Sequence, residues 1–277
     1  MENNTKYEVN ERDVEYQRLA GKPWQLRMYQ PKGAGPFPTL IDVHGGAGHN
    51  GDRTSNAGIA RALAASGVVV ASVDFRQPPE AGYPASVCDI NLATRWLKAH
   101  AAEFNGSTTV GAFGNSSGGH LVVLSGLRPR HAAYAALPLA NHPELDASLA
   151  FVIAGWPVIC PLYRFRYANE INNQSHIQAH FDYWGTEAAM AEGSPQTIVD
   201  SDERVALPPI LFMLKANDKN HPLPMQERFI ASYRKRGGPI EVHSFDGLPE
   251  HGMVPSPSEP ETMRVIDTIT AFIRRQS

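Results

Sequence analysis

The sequence predicts an α/β fold in which a mostly parallel sheet is covered on both faces by helices. Three observations carry this. From residue 39 onward, short apolar runs that stop at Gly or Pro alternate with stretches of helical spacing. The runs at 39–43, 68–75 and 210–214 are apolar almost throughout, as strands buried on both faces must be. With 277 residues, 42% of them hydrophobic, the chain can build one large core, and residues 1–277 read as a single domain.

Residues 1–10 read as an N-terminal extension. Stretches 14–19 and 24–29, separated by Gly21-Lys22-Pro23, form an antiparallel hairpin. After a Pro/Gly cluster at 31–38, strand 39–43 runs into His44-Gly45-Gly46-Ala47-Gly48. Ile59, Ala60, Leu63 and Ala64 have helical spacing, which Gly67 ends. Strand 68–75 follows, and then Ser86 and Asp89 make a capping-box pattern. Beyond it Ile90, Ala93, Leu97, Ala101 and Phe104 share one helix face. Strands are expected at 110–113 and 151–156. Between 157 and 207 the alternation lapses into a segment rich in aromatics, Asn, Gln and His. It is too long for an ordinary connection and reads as an inserted lid of short helices. Strand 210–214, a helix over 224–236 closed by Gly237-Gly238, strand 240–245 and a helix over 259–275 complete the pattern. The last helix turns Met263, Ile266, Ile269 and Ile273 inward.

A net charge of −3 and a pI near 6.4 offer no electrostatic attraction for nucleic acid or an anionic membrane. No run approaches the roughly 18 apolar residues of a membrane span, and the first 15 residues lack an apolar leader core. Cys88 and Cys160, in unrelated contexts, read as two free thiols, which fits a reducing cytoplasm. The expected partner is a small molecule, and a homo-oligomer is compatible with this composition.

The chemistry concentrates in 110–124. An apolar run stops at Gly114-Asn115-Ser116-Ser117-Gly118-Gly119 and a second begins at once. This is G-x-S-x-G on a strand-to-helix turn, which holds a serine hydroxyl out at the sheet edge and needs slim neighbours two residues either side. A serine is a poor nucleophile unless a base takes its proton, an acid orients the base and N–H donors meet the oxyanion. His251, in the loop past the last strand, is the expected base, one of eleven histidines and selected by the chain order serine, acid, histidine. Asp218 follows strand 210–214 and is the expected acid. Asp246 is its rival, while Asp200, Asp202 and Glu203 fall at the wrong end of that strand. Gly45 and Gly46, with the N–H of Ser117, are the expected oxyanion donors. His120 reads as packed behind the elbow. Trp156, Tyr163, Phe181 and Trp184 are expected to divide between lid core and substrate wall. His176 and His180, four apart with Asp182 nearby, would suit a metal on a helix, but there is no H-E-x-x-H core, and neither metal nor cofactor is expected.

Together, His44-Gly45-Gly46-Ala47, Asp74-Phe75-Arg76 with Tyr83-Pro84, Gly114 to Gly119, Asp218 and His251-Gly252 resemble the α/β-hydrolase fold, most closely its hormone-sensitive-lipase-like esterase branch, from about residue 24 to the end. The resemblance implies nucleophile Ser116, acid Asp218, base His251 and an oxyanion hole of Gly45, Gly46 and Ser117. Ala47 departs from a third glycine, Asn115 and Ser117 from the branch's Asp and Ala, and the N-terminal part is short for a helical cap. The implied function is a serine hydrolase cleaving a small or medium carboxylic ester through an acyl-enzyme. An amide or formamide hydrolase using the same residues, a non-catalytic receptor on the same fold and a metal hydrolase are the alternatives.

Overall fold

A computed structural model describes residues 6–215, 218–248 and 259–276. Its framework is an eight-stranded sheet of order β1-β2-β4-β3-β5-β6-β7-β8. β1 (Val9–Leu19) and β2 (Lys22–Pro31) form the hairpin, and β2 also runs antiparallel to β4 (Val69–Val73). From β4 outward every pairing is parallel, through β3 (Phe37–Val43), β5 (Gly106–Asn115), β6 (Val152–Gly155), β7 (Ile210–Leu214) and β8 (Ile240–Ser244). The hairpin strands are longer than expected because cross-strand pairing carries polar residues such as Arg12 and Gln30 into the ladder, and β5 because Gly106 pairs with Phe37 across an irregular stretch at 107–109, where hydrophobic pattern alone gives no signal.

Each face of the sheet is sealed by its own core. On one side α1 (Ala57–Ala65) and α9 (Pro260–Gln276) bring Ile59, Leu63, Ile266 and Ile269 onto Leu40, Val70 and Phe113. On the other, α2 (Ala85–His100), α3 (Ser117–Leu127) and α8 (Leu223–Lys235) bring Ile90, Leu121 and Phe229 onto Ile41, Ala112 and Phe212. Successive residues of β3 alternate between the two cores, which is the period-2 geometry of a strand buried on both faces.

The expected capping box at Ser86 is not formed. Pro84 is the N-cap of α2 and makes no side-chain cap bond, while Ser86 lies inside the helix. Its hydroxyl bonds to Tyr183, and Asp89 takes Arg76 instead, at 2.8 Å. Burial against Tyr183 and a cationic neighbour outcompetes the local cap.

Residues 157–207 hold four helices, α4 (Pro161–Glu170), α5 (Gln174–Trp184), α6 (Glu187–Glu192) and α7 (Pro195–Asp200). Their starts are local chemistry. Asn173, Thr186 and Ser194 each accept a backbone N–H three residues on, and Pro161 and Pro195 occupy first-turn positions. Phe165, Tyr183, Trp184, Met190 and Ile198 join the core on the α3 side, so this segment is anchored over the C-terminal edge of the sheet.

Candidate active site

The elbow between β5 and α3 is tightly determined. Ser116 adopts φ 53° and ψ −120°, a positive-φ conformation that L-residues resist. Its N–H donates to Gly155 O at 2.9 Å, and its own carbonyl accepts from Val158 and His120, each at 3.1 Å. A Cβ on Gly114 would lie 2.4 Å from Gly118 O, and one on Gly118 would lie 2.1 Å from Val43 O. The two glycines of the motif are therefore demanded by close backbone approach, as the sequence pattern requires.

Gly45 runs beside this turn: a Cβ there would meet Asn115 O at 3.0 Å and Ser116 Cβ at 3.4 Å. Gly46 has φ 117°, and its carbonyl accepts from His49 and Asn50 at 3.1 and 3.0 Å, which folds 45–50 into a compact loop. Buried His44 stacks on Phe75, 4.5 Å between ring centroids, and fixes the loop's base. Ser117 opens α3, where the first N–H groups have no partner within the helix and the helix dipole favours negative charge. The backbone of Gly45 thus passes alongside the Ser116 turn, and Ser117 follows the serine at the start of α3.

The loop after β7 brings a carboxylate and an imidazole together. Asp218 Oδ1 accepts the N–H groups of Asn220 and His221 at 2.8 and 3.1 Å, an Asx-type turn that presents the ring of His221 to Oδ2. His221 Nδ1 lies 2.8 Å from Asp218 Oδ2, and its Nε2 lies 3.1 Å from Ser116 Oγ. Both side chains are nearly inaccessible, 6% and 8% exposed, so the contacts act in a poorly screened setting. Burial pulls the Asp218 carboxyl upward, but the hydrogen bond from the His221 ring and those from the N–H groups of Asn220 and His221 outweigh it and hold it below the ordinary aspartate value. Burial likewise pushes the His221 imidazole below the ordinary histidine value, against the attraction of Asp218. The pair is an ionised carboxylate holding a neutral imidazole whose free nitrogen faces the serine.

A cavity of about 30 Å³ opens beside the elbow, walled by Gly48 and Ser117, by His120 and Leu121 of α3, and by Arg164, His180, Tyr183 and Trp184 of α4 and α5. At roughly 10–15 Å³ per water, it admits only a small group.

Of the residues singled out from sequence, Ser116, Asp218, Gly45, Gly46 and Ser117 converge here. His251 lies outside the described residues. His221 went unselected although it also satisfies the order serine, acid, histidine. The available signal was its spacing, three residues after Asp218 and directly before Pro222 at the mouth of a helix. Asp246 accepts the Ser244 hydroxyl at 2.9 Å, a local turn contact. Trp184 lines the cavity, whereas Trp156 is buried with Lys215 Nζ 5.0 Å over its ring. Tyr163 and Phe181 are surface-exposed, Phe181 edge-on to Phe165. His120 is buried behind the elbow, its Nε2 2.8 Å from Gly193 O. His176, His180 and Asp182 do not converge: His180 Nδ1 donates to His176 O at 2.7 Å, and Asp182 accepts from Gln178 at 2.7 Å. Among the described residues, no three His, Cys, Asp or Glu side chains are grouped as metal ligands.

The sequence pattern of the BD-FAE family matches residues 26–222. Esterase LipC of Mycobacterium tuberculosis is 36% identical over 115 residues, 40% of this chain and 28% of LipC. The probable carboxylic ester hydrolase LipM of the same organism is 24% identical over 233 residues, 77% of this chain and 51% of LipM. The chain thus spans about half or less of these relatives. A hyperthermophilic esterase from Pyrobaculum calidifontis superposes with a TM-score of 0.76 at 19% identity, covering 98% of this chain and 87% of that one, a likeness that speaks to the fold.

Proposed function

The chain belongs to the BD-FAE family and has the α/β-hydrolase fold, and on that footing we propose that it is a serine-dependent carboxylic ester hydrolase acting on small esters. The observation that carries this is the continuous contact from Ser116 Oγ through the His221 ring to Asp218, at 3.1 and 2.8 Å, on an elbow where Ser116 holds a positive φ. The names of the relatives, esterases and a carboxylic ester hydrolase, support the same reaction class. The small cavity supports a short substrate portion.

In this reading Ser116 Oγ attacks the acyl carbon while His221 Nε2 takes its proton. Asp218 fixes the tautomer with the proton on Nδ1 and stabilises the imidazolium that forms. The oxyanion rests on the N–H groups of Gly45, Gly46 and Ser117, each such donor being worth roughly 3 kcal/mol of barrier. His221 then protonates the departing alcohol, and a water activated by the same nitrogen releases the acid from Ser116. No step calls on a cofactor. Free Cys88 and Cys160 support a reducing, cytoplasmic setting, and no described helix is long and apolar enough to cross a membrane.

His251 is the second reading for the base, favoured by its place after β8, which is paired with β7 at the edge that bears Asp218. The decisive experiment compares Ser116→Ala, His221→Gln and His251→Gln on p-nitrophenyl acetate, with melting curves run alongside. Ser116→Ala is expected to abolish turnover and labelling by a fluorophosphonate while the protein stays folded. His221→Gln is expected to be the more damaging histidine change, by a factor on the order of 10³. The reverse ranking assigns the base to His251, and turnover surviving in Ser116→Ala overturns the reading. Matched ester and anilide rates separate this activity from the amide or formamide hydrolase that the same residues would serve.

A further inference from the structure

Arg164 is the charged residue of the cavity wall. It is only 5% exposed, yet among the described residues no carboxylate forms an ion pair with it. Its Nε donates to Asn220 O at 3.2 Å and its Nη2 to His176 Nε2 at 3.3 Å, both neutral acceptors. Asp218 is felt across space, but its oxygens are already engaged by His221 and Asn220. Burying a guanidinium without an anion is costly, and natural proteins offset that cost with a paired negative group. The cavity's other titratable walls add no negative charge. Burial and the neighbouring guanidinium hold His180 down to about 4, and burial does the same for His120, so both rings are neutral at physiological pH. The cavity wall therefore carries one guanidinium and, among the described residues, no carboxylate, and it adjoins Ser117.

We infer that this cavity takes a carboxylate carried by the substrate, with Arg164 binding it, so that the preferred substrates are short anionic esters. This rests on Ser116 as nucleophile and narrows the substrate class for that site. A carboxylate matches the planar fork of a guanidinium, which a neutral acyl chain cannot do. A hydrophobic tail would instead leave the buried charge dehydrated and unanswered.

Two matched pairs of esters test the idea and locate the charge. Monomethyl succinate against methyl 4-methylpentanoate puts the carboxylate on the acid part, and acetoxyacetate against isobutyl acetate puts it on the alcohol part. In each pair a carboxylate replaces an isopropyl group of the same branching. One anionic ester is expected to be preferred by roughly 10- to 100-fold in kcat/KM, chiefly through KM. Arg164→Gln should erase that preference, reducing the anionic ester far more than its neutral partner, and Arg164→Lys should retain part of it. Independently of any variant, succinate should compete with p-nitrophenyl acetate while isobutyramide does not. Equal rates within both pairs, no inhibition by succinate, or an equal loss on both members of a pair in Arg164→Gln would overturn the inference. The last outcome would leave Arg164 as a clamp on the Asn220 loop. Neutral esters cleaved without anionic preference would spare the serine reading, whereas failure to cleave any ester, p-nitrophenyl acetate included, would bring down both.

Discussion

Asp218 and the imidazole it holds sit in one turn, so the ring of His221 is positioned by three bonds to a single carboxylate. The pH dependence follows from the sign of the shift. In the proposed mechanism only neutral His221 takes the serine proton, and burial lowers its pKa below 6.5. Turnover should therefore be level through neutral pH and fall as the medium is acidified below about 6.5. Asp218→Asn removes the one contact that raises the imidazole. It should shift this acid limb lower still while cutting kcat by a factor on the order of 10³–10⁴, read from a pH–rate profile. A second carboxylate behaves oppositely. Asp42 is wholly buried, and burial raises it from 3.8 to about 6 despite hydrogen bonds from Ser72 and Asn56. The folded state then binds the proton more tightly than the unfolded one, so its stability is greatest below pH 3.8 and declines as pH rises toward 6. Asp42→Asn keeps the bond from Asn56 on its amide oxygen and turns the bond with Ser72 around, its NH2 donating to the hydroxyl, without the charge. It should add about 3 kcal/mol at neutral pH and almost nothing near pH 3.5, as urea denaturation at the two pH values would show.

At the scale of an element, the β5–α3 turn is set by space as well as by propensity. Gly118→Ala would drive a methyl to 2.1 Å from Val43 O and 2.5 Å from His44 O, both backbone atoms that cannot step aside. The expected result is a destabilisation above about 3 kcal/mol together with loss of fluorophosphonate labelling, because Ser116 moves off its partner. Gly237→Ala is the contrast. It sits at φ 83° with nothing within 4 Å, so only backbone strain opposes it, about 1 kcal/mol. If the two variants were equally stable, steric closure of the elbow would not be what the motif's second glycine provides.

Across the whole molecule, residues 157–207 are tied to the sheet by polar contacts that lie away from the reacting groups. Arg128, at the C-terminal end of α3, donates to Glu192 at 2.6 Å, to Glu203 at 2.6 Å and to Tyr134 OH at 3.2 Å. It thereby joins α6, the strand-bound connection before β7 and the chain after α3. Its side chain is 10% exposed, but the two carboxylates are 46% and 36% exposed, so water recovers much of what they lose on its removal. Arg128→Met should cost about 1–2 kcal/mol, a melting-temperature drop of roughly 3–6 °C, with kcat/KM on p-nitrophenyl acetate retained. A large fall in activity at unchanged melting temperature would show that the tie positions the site rather than the fold.

What the residues determine alone is local. Buried parallel strands announce themselves as apolar runs, helices as repeating faces, and the G-x-S-x-G turn as glycines that no side chain could replace. Asp218 was legible because it follows a strand so closely. The antiparallel start, the extra length of β5 and the failed cap at Ser86 were not legible, since cross-strand pairing and contact with α5 settle them. Tertiary structure also decided which imidazole meets Ser116 Oγ among the described residues and which aromatics face the cavity. It decided, too, that Arg164 is buried with no ion-paired carboxylate among the described residues. These depend on residues distant in sequence sharing a few ångströms of poorly screened space, and chain order carries no measure of that distance.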